Sequence, residues 1–542
     1  MKTTRQHLDV SAAPAKCEVR VPSIRTVYNF YMPSSVHREV ERKYDVPPDA
    51  QLPALDELLW VATVPAPVEE LLEAVYFDTP DLALARARIT LRRRTGGHDA
   101  GWHLKRPLDD GDREESRHPL GRATKSVPVS LRREVRVHTR AQVLAPVATI
   151  DTRRVVHRLL DPAGEVLADV CDDTVTAHAT AGDGAAQTTG WREWEVELAG
   201  GSGELLDVVE ARLRKAGAVP AEGPSKLARV LRNRLPREDR ASGVAPSRKG
   251  PAAAVLHAHL HDEIAELKTR DPQVRQDEPD SVHKMRVATR RLRSTLATFR
   301  PFVDRNKTDP LRQELKWLAG ILGEARDAEV MRARLAVMIA EQPPELVLGP
   351  VARRVDKVLR ATYRTAHARV VEALDSHRYF ELLDGLDALD AAPPWTGSAE
   401  EAASSVLPAR VRRDWKRLRD QAETIDAAIP EERDHRLHEL RKSAKRVRYA
   451  AEVLEPVFGS EAKDFAKAAK HMQEPLGEHQ DSVVLRELLR QLGVQAHLDG
   501  ENAFTYGRLH ALEEVRAHDT EHRAAVAWKA ASDKRLRRWL RK

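Results

Sequence analysis

Two stretches, Arg38-Glu39-Val40-Glu41-Arg42-Lys43-Tyr44-Asp45-Val46 and Trp191-Arg192-Glu193-Trp194-Glu195-Val196-Glu197-Leu198, decide how the first part of this chain folds. Successive side chains of an extended strand point to opposite faces. Glu39, Glu41 and Lys43 therefore share one face while Val40 and Tyr44 take the other, and Glu193, Glu195 and Glu197 alternate with Trp194, Val196 and Leu198. The bias recurs along the chain. Arg92 and Arg94 share a face, as do Arg132, Glu134 and Arg136, and Lys105 stands on a further strand. Alternating glutamates on one strand usually mark a solvated face. Seven runs with the same bias (REVERKYDV, AVYFDTP, RITLRRR, GWHLKRP, SLRREVRV, EVLADVCD, WREWEVEL) predict something else: apolar faces packed outward against helices, charged faces lining a barrel or tunnel. Grouped carboxylates repel one another unless a cation sits among them, and hard Mg²⁺ or Mn²⁺ suits oxygen ligands. Arginines and lysines opposite would clamp phosphate oxygens, and metal plus basic clamp is the apparatus of phosphoryl transfer.

The 542 residues exceed one ordinary core, so two domains of roughly 200 and 300 residues are expected. From residue 38 to about 235 the short alternating runs are separated by Gly, Pro and Asp, with helical stretches near LPALDELLW and LLDVVEARLRKAG. This predicts an antiparallel β domain with peripheral helices. Residues 1–36 lack a sustained period and read as a disordered extension, and residues 236–251 read as a Pro-, Gly- and Ser-containing linker. From 252 to 540 Leu, Ala and Arg recur at three and four spacing, with breaks at 342–350 and 392–404, so the fold class is α+β with an all-α second domain.

Apolar residues make up 42% and charged residues 32%, and no window is apolar enough for a membrane span. The first residues show no secretory pattern, and the two cysteines, Cys17 and Cys171, lie far apart in unrelated contexts. A reducing, cytoplasmic setting is expected. Net charge is +6, but 89 basic residues stand beside 83 acidic ones, so the position of the charges says more than their sum.

The helical part repeats itself. His283-Lys-Met-Arg286-Val-Ala-Thr-Arg290-Arg291-Leu-Arg293 is matched about 155 residues later by His438-Glu-Leu-Arg441-Lys-Ser-Ala-Lys445-Arg446-Val-Arg448. Each is followed by a Leu-Gly-Glu turn of sequence that ends in an acid, Leu322 to Asp327 and Leu476 to Asp481. A duplicated bundle with a pseudo-twofold is expected, its repeats at about 252–390 and 405–540. At about 100° per residue His283, Arg286, Arg290 and Arg293 fall on one side of a helix, opposite Met285, Ala288 and Leu292. Residues 281–300 hold six Lys or Arg and no Asp or Glu, so like charges repel along the helix and an anion should answer them. Asp327 and Asp481 either form helix-terminal structure or brace the arginines, and the structural role is the expectation.

In their order, Glu39-Val-Glu41-Arg-Lys43, Tyr76-Phe-Asp78-Thr79-Pro80, Leu91-Arg92-Arg-Arg94, Leu104-Lys105, Arg132-Arg-Glu134, Arg154, Asp172, Glu193-Trp-Glu195-Val-Glu197 and Ser225-Lys226 resemble the CYTH, or triphosphate tunnel metalloenzyme, superfamily over residues 37–235. The resemblance implies an eight-stranded tunnel that hydrolyses a triphosphate with divalent metal. It puts metal on Glu39, Glu41, Glu195 and one of Glu193 or Glu197, and phosphate on Lys43, Arg92, Arg94, Lys105, Arg132, Arg154 and Lys226. It leaves Glu134 and Asp172 to orient basic groups or water. The signature lies about 38 residues into the chain, later than is usual in that family. The duplicated motif resembles the CHAD domain over about 252–540, which implies binding of inorganic polyphosphate by His283, Arg286, Arg290, Arg291, Arg293, His438, Arg441, Lys445, Arg446 and Arg448. Association with polyphosphate granules follows as an expectation. Specific nucleic-acid recognition is not expected, because aromatic residues form only 5% of the chain and the basic stripes hold few of them. The remaining readings are a non-catalytic polyphosphate-binding protein and an enzyme acting on nucleoside or thiamine triphosphate.

Overall fold

The computed structural model describes residues 35–541 apart from 109–111, 122–125, 181–186, 236–244, 426 and 428. Most of the expected extension, Cys17 and the first part of the expected linker lie outside the described residues. Ten strands form one antiparallel sheet: β1 (Ser35–Glu39), β2 (Glu41–Val46), β3 (Val68–Asp78), β4 (Thr90–Thr95), β5 (Gly101–Pro107), β6 (Arg113–His118), β7 (Ala145–Leu160), β8 (Val166–Ala179), β9 (Gln187–Leu198) and β10 (Val219–Pro220). Their order is β1-β6-β5-β4-β3-β7-β8-β9-β2-β10. Val40 alone separates β1, at one edge, from β2, near the other, and its carbonyl accepts the Leu198 N–H at 3.0 Å. The sheet therefore curls until its flanks meet along the first strand. With β1 and β2 taken as one strand and the two-residue β10 set aside, the number is the expected eight.

Four helices accompany the sheet: α1 (Ala83–Arg86), α2 (Val129–Thr139), α3 (Gly203–Lys215) and α4 (Lys226–Val230). The outward faces of β2, β8 and β9 carry Tyr44, Val170, Trp194 and Val196 into a core with Leu206, Val209 and Leu213 of α3. Burial of each such side chain stabilises by roughly 1.5–3 kcal/mol. Apolar-outward, charged-inward strands are thus what the structure shows.

Two local expectations fail. Ser130-Leu-Arg-Arg-Glu-Val-Arg-Val forms α2, not a strand, because Leu131 and Val135, four apart, share one helical side and bury beside Phe77 and Leu104. Residues 52–60 make turns instead of a helix, with Leu55 and Leu58 buried beneath them. Conversely, β6 went unread, since Arg-Glu-Glu-Ser-Arg-His contains no apolar residue to mark its period.

The second half holds α5 (Ala252–Arg275), α6 (Ser281–Thr298), α7 (Arg305–Ala340), α8 (Val351–Leu374), α9 (His377–Ala391), α10 (Ala403–Ala422), α11 (Pro430–Glu452), α12 (Glu455–Phe458), α13 (Ser460–Leu498) and α14 (Phe504–Ala531), followed by a 3-10 segment at Lys534–Arg541. The pseudo-twofold is explicit where α5 and α10 begin. Pro251 pairs with Ala402 in an antiparallel bridge, the Ala252 N–H donates to the Glu401 carbonyl at 2.9 Å, and the Ala403 N–H donates to the Gly250 carbonyl at 2.8 Å. The Leu-Gly-Glu segments lie inside the long helices α7 and α13, not at their ends. Among the described residues no helix is long and apolar enough to cross a membrane.

Helix α2 joins the two halves. Its Val137 lies in the helical core with Leu260 and Ile264, and Arg140, just past its end, pairs with Asp384 at 3.0 Å and Asp387 at 2.6 Å. Arg136 pairs with Asp375 at 3.0 Å and stands 5.4 Å over the Phe380 ring.

Candidate active site and anion groove

Each strand sends alternate residues into a lumen lined by Glu39, Glu41, Lys43, Tyr76, Arg92, Arg94, Lys105, Glu115, Arg154, Cys171, Glu195, Glu197 and Lys226 among others, enclosing about 110 Å³. The registers that make this possible set Lys43 opposite Glu195, Glu41 opposite Glu197, and Lys105 opposite Glu115. Opposed side chains on one face lie close enough to interact directly.

Two carboxylate triads form. In the first, Glu39, Glu41 and Glu197 bring one oxygen each within 4.8 Å of the others; in the second, Asp173, Glu193 and Glu195 do the same. Their surroundings differ. Lys226 fills the second, with its Nζ 2.9 Å from Asp173, 2.6 Å from Glu193 and 2.7 Å from Glu195. Burial works against the Glu195 carboxylate, but Lys226, Lys43 and Arg154 hold it well below the ordinary range. The first triad is less completely answered. Lys105 pairs with Glu39 Oε1, yet Glu39 Oε2 is buried without a hydrogen-bond partner. Burial lifts the Glu39 carboxyl above its ordinary value against the pull of Lys105, and the neighbouring Glu41 and Glu197 add to the rise. An orphaned buried oxygen among three convergent carboxylates is a donor set that fits a divalent cation, whereas the second triad already holds an ammonium.

The basic side follows the same geometry. Arg154 grips Asp173 with Nε at 2.8 Å and a second nitrogen at 2.7 Å, and reaches Glu197 at 3.2 Å. Lys43 lies 2.6 Å from Glu41 and also pairs with Glu195. Arg94 pairs with Asp99. Arg92 has no carboxylate within ion-pair reach among the described residues and donates to the Tyr76 hydroxyl at 3.3 Å. Its guanidinium is therefore open to an incoming anion.

Three sequence candidates do not enter the lumen. Arg132 is exposed on α2. Glu134, on the same helix, turns to Arg106 at 3.2 Å and His118 at 3.5 Å. Asp172 points outward and takes a two-pronged pair from Arg192 at 2.8 and 2.6 Å; strand parity gives the inward place to Asp173. Asp173 and Glu115 were missed. Glu115 is buried, accepting from Arg117 at 2.6 Å and bonded to the buried His103 at 2.8 Å. Alternation from Cys171 would have found Asp173; β6 offered no signal for Glu115.

In the helical domain α6 and α11 pack together, and their motif residues meet. Arg290 donates to the Tyr449 hydroxyl at 3.3 Å. Acids outside the basic stripe answer some of these cations: Asp327 of α7 lies 3.5 Å from Arg286, Glu263 of α5 and Glu452 of α11 lie 3.0 and 3.2 Å from Arg291, and Glu452 lies 3.2 Å from Arg448 one turn before it. The charge is therefore partly relieved, contrary to expectation, and Asp327 braces an arginine from mid-helix. No acid pairs with Arg290, Arg293, Arg441, Lys445 or Arg446 among the described residues. Burial, then Arg441, Arg290, Arg286 and Arg448, push the Lys445 ammonium down to about 6. His283 and His438 are also lowered, first by burial and then by nearby cations, Arg326 for the one and Lys442 for the other. The repeated glycines have a role too. A Cβ on Gly323 would stand 3.3 Å from an Arg286 nitrogen, and one on Gly477 would stand 3.2 Å from an Arg441 nitrogen.

Comparison with known proteins agrees with both halves. The CYTH domain family matches residues 37–231 and the CHAD domain family residues 258–490. An uncharacterized protein of Mycobacterium tuberculosis (strain H37Rv) is 41% identical over 488 residues, 88% of this chain and 93% of that one. Among solved structures, PptA from Streptomyces chartreusis is 20% identical, covering 52% of this chain and 99% of that one at a TM-score of 0.44. The CHAD domain from the plant Ricinus communis is 26% identical, covering 53% and 94% at a TM-score of 0.41.

Two outcomes follow for the groove. Lys445 is neutral above about pH 6 in the free protein, and an anion beside it raises it towards the ordinary lysine value of about 10.4. Between these values the bound state holds more protons, so anion affinity falls as pH rises. Calorimetry in buffers of unequal ionisation heat should show proton uptake near neutral pH that Lys445→Met removes; equal uptake by both proteins would refute this. Gly323→Ala with Gly477→Ala should weaken anion binding while leaving the melting temperature unchanged or higher, because alanine favours a helix interior by up to about 1 kcal/mol per site. A lower melting temperature with intact binding would assign the glycines to packing alone.

Proposed function

This chain belongs to the CYTH family, whose tunnel members are divalent-metal triphosphatases or cyclases, and carries a CHAD domain behind the tunnel; from that premise we propose that it is an inorganic triphosphatase that also binds polyphosphate. The observation that carries the reading is one lumen in which the Glu39, Glu41 and Glu197 carboxylates converge opposite Lys43, Arg92, Arg94, Lys105, Arg154 and Lys226. Glu39, Glu41 and Glu197 would hold Mg²⁺ or Mn²⁺. Bound there, the ion supplies charge neutralisation for phosphate oxygens and acidifies a water nucleophile. The chain's own residues do the rest. Arg92, without a carboxylate partner among the described residues, would take a phosphate by its planar fork, and Lys43 and Lys105, paired with Glu41 and Glu39, would add ammonium charge for phosphate oxygens. Asp173 holds Arg154 and Lys226 in the lumen and sets where their charges stand. Among the described residues Tyr76 is the only Phe, Tyr or Trp on the lining, which favours a bare phosphate chain over a group that needs a stacking partner. In the helical domain, Arg286, Arg290, Arg293, Arg441, Lys445 and Arg446 line up as donors for a flexible polyanion, alongside His283 and His438. Arg291 and Arg448 serve the groove from behind, held by Glu263 and Glu452.

Purified protein should release phosphate from tripolyphosphate with Mg²⁺ or Mn²⁺ faster than from ATP or thiamine triphosphate. Glu39→Gln or Glu41→Gln should lower kcat by about 100-fold or more. No release from any of the three substrates would leave a binding protein. In parallel, Arg286→Ala with Arg441→Ala should weaken retention of long-chain polyphosphate and leave tripolyphosphate hydrolysis intact. Unchanged retention at moderate salt would remove the groove from the account.

A further inference from the structure

The two halves of the helical domain are built alike but charged unlike. The bridge between Pro251 and Ala402 fixes the equivalence of α5 and α10, and the buried residues confirm it: Leu256, Leu260, Ile264 and Leu267 correspond to Leu407, Val411, Trp415 and Leu418. On the neighbouring face of the same helices the correspondence inverts the sign. Asp262 of α5 becomes Arg413 of α10, and Glu266 becomes Arg417. The repeat motif extends the inversion, since Glu455 stands where the first half has Arg300.

The ion pairs differ accordingly. Arg291 of the first motif is answered by Glu263 at 3.0 Å and Glu452 at 3.2 Å. Its counterpart Arg446 has Asp414 at the place of Glu263, but Asp414 accepts the Thr298 hydroxyl at 2.7 Å, and no acid pairs with Arg446 among the described residues. Arg446 instead opens onto a cleft of about 610 Å³ between the α6–α7 connection and α10. Arg305, Arg413, Lys416 and Arg417 also line it without any acidic partner among the described residues. Burial lowers Arg410, and Arg413 adds to the effect. The fold does not require this charge, because the equivalent place in the other half packs the same way with acids. Asp414 and Asp420 also line the cleft, and Asp309 pairs with Arg300 and with Arg312, but the cations left unanswered among the described residues give the cleft a surplus of positive charge that is complementary to an anion.

We propose that the cleft lined by Arg300, Arg305, Arg312, Arg410, Arg413 and Arg417 is a second polyphosphate-binding site, which receives a long chain as it leaves the motif groove. This rests on the groove's binding polyphosphate. Continuity is given by Arg446, which belongs to the motif helix and lines the cleft, and by Arg293, which burial and then Arg312 and Arg446 depress below the ordinary guanidinium value. A single-stranded nucleic acid fits less well, since no aromatic side chain among the described residues lines the cleft to stack a base. The duplicated domain thus has a direction. One pole is quenched by its own acids and lies on the helix against which the tunnel domain docks; the other is open and basic.

The test uses the full chain and polyphosphate of graded length. Arg413→Glu with Arg417→Glu, both exposed, should weaken long-chain polyphosphate by about tenfold at moderate salt and flatten the salt dependence of binding, while tripolyphosphate hydrolysis and short-chain binding stay at wild-type levels. Arg413→Gln with Arg417→Gln should show the same direction with a smaller loss, which guards against misfolding of the charge-reversed form. Unchanged long-chain affinity in both variants, with affinity lost in Arg286→Ala/Arg441→Ala, would overturn the cleft and spare the groove. Failure of the wild-type protein to hold any polyphosphate would overturn the groove reading beneath it. Displacement of long-chain polyphosphate from the cleft by a single-stranded oligonucleotide at lower concentration would assign the cleft to nucleic acid and overturn the proposal.

Discussion

Mutual neutralisation of buried ions is the constraint on which the first domain depends. Taking an unpaired carboxylate or ammonium out of water costs several kcal/mol even after relaxation, so a lumen holding this many ionised groups survives only if nearly every one meets an opposite charge at short range. Lys226 within Asp173, Glu193 and Glu195 is the clearest case. It explains why a short helix after β10 closes against the sheet: without α4, Glu193 would lose its ion pair and only Arg154 and Lys43 would answer the three carboxylates across β8 and β9. The places where neutralisation is incomplete, Glu39 Oε2 and Arg92, are accordingly the ones where a ligand has something to gain.

The helical domain resolves the same problem differently. It keeps its cations at the surface of contact between two helices and lets neighbouring helices lend acids to some of them. Those left over are half-buried apart from the exposed Arg293, and burial among like charges is what makes Lys445 lose its proton so readily. Gly323 and Gly477 show that backbone shape is part of this arrangement, since each leaves room for a guanidinium to lie flat against a helix.

Much of this was legible in sequence, for identifiable reasons. Period-two alternation in β2 and β9 is unbroken over several residues, so face assignment from Glu39 to Lys43 and from Glu193 to Glu197 followed directly. Whether Glu193 or Glu197 joins the first triad was not legible, because both share a parity and only the register with β2, Glu41 opposite Glu197, separates them. Asp172 was chosen over Asp173 because two adjacent acids leave the parity to be fixed by the strand as a whole. Arg132 and Glu134 failed for another reason: charged residues at every second place look like a strand face, and the apolar spacing of Leu131 and Val135 that makes them a helix is short. In the helical half, duplication gave the pseudo-twofold, but the acids that answer Arg291 come from α5 and the end of α11, outside the motif.

The single strand that serves both edges of the sheet has a bearing on how the domain comes into being. Residues 35–46 are synthesised before the rest of the sheet, yet they bond to β6, near residue 115, on one side and to β9, near residue 195, on the other. Closure must await nearly the whole domain, and contacts of such sequence separation make for slow folding. Until β9 arrives, the first strand can pair on one side only, and its other edge stays open to competing chains. The charges on that strand, Glu39, Glu41 and Lys43, then act as guards of an unfinished edge before they become the lining of a finished tunnel.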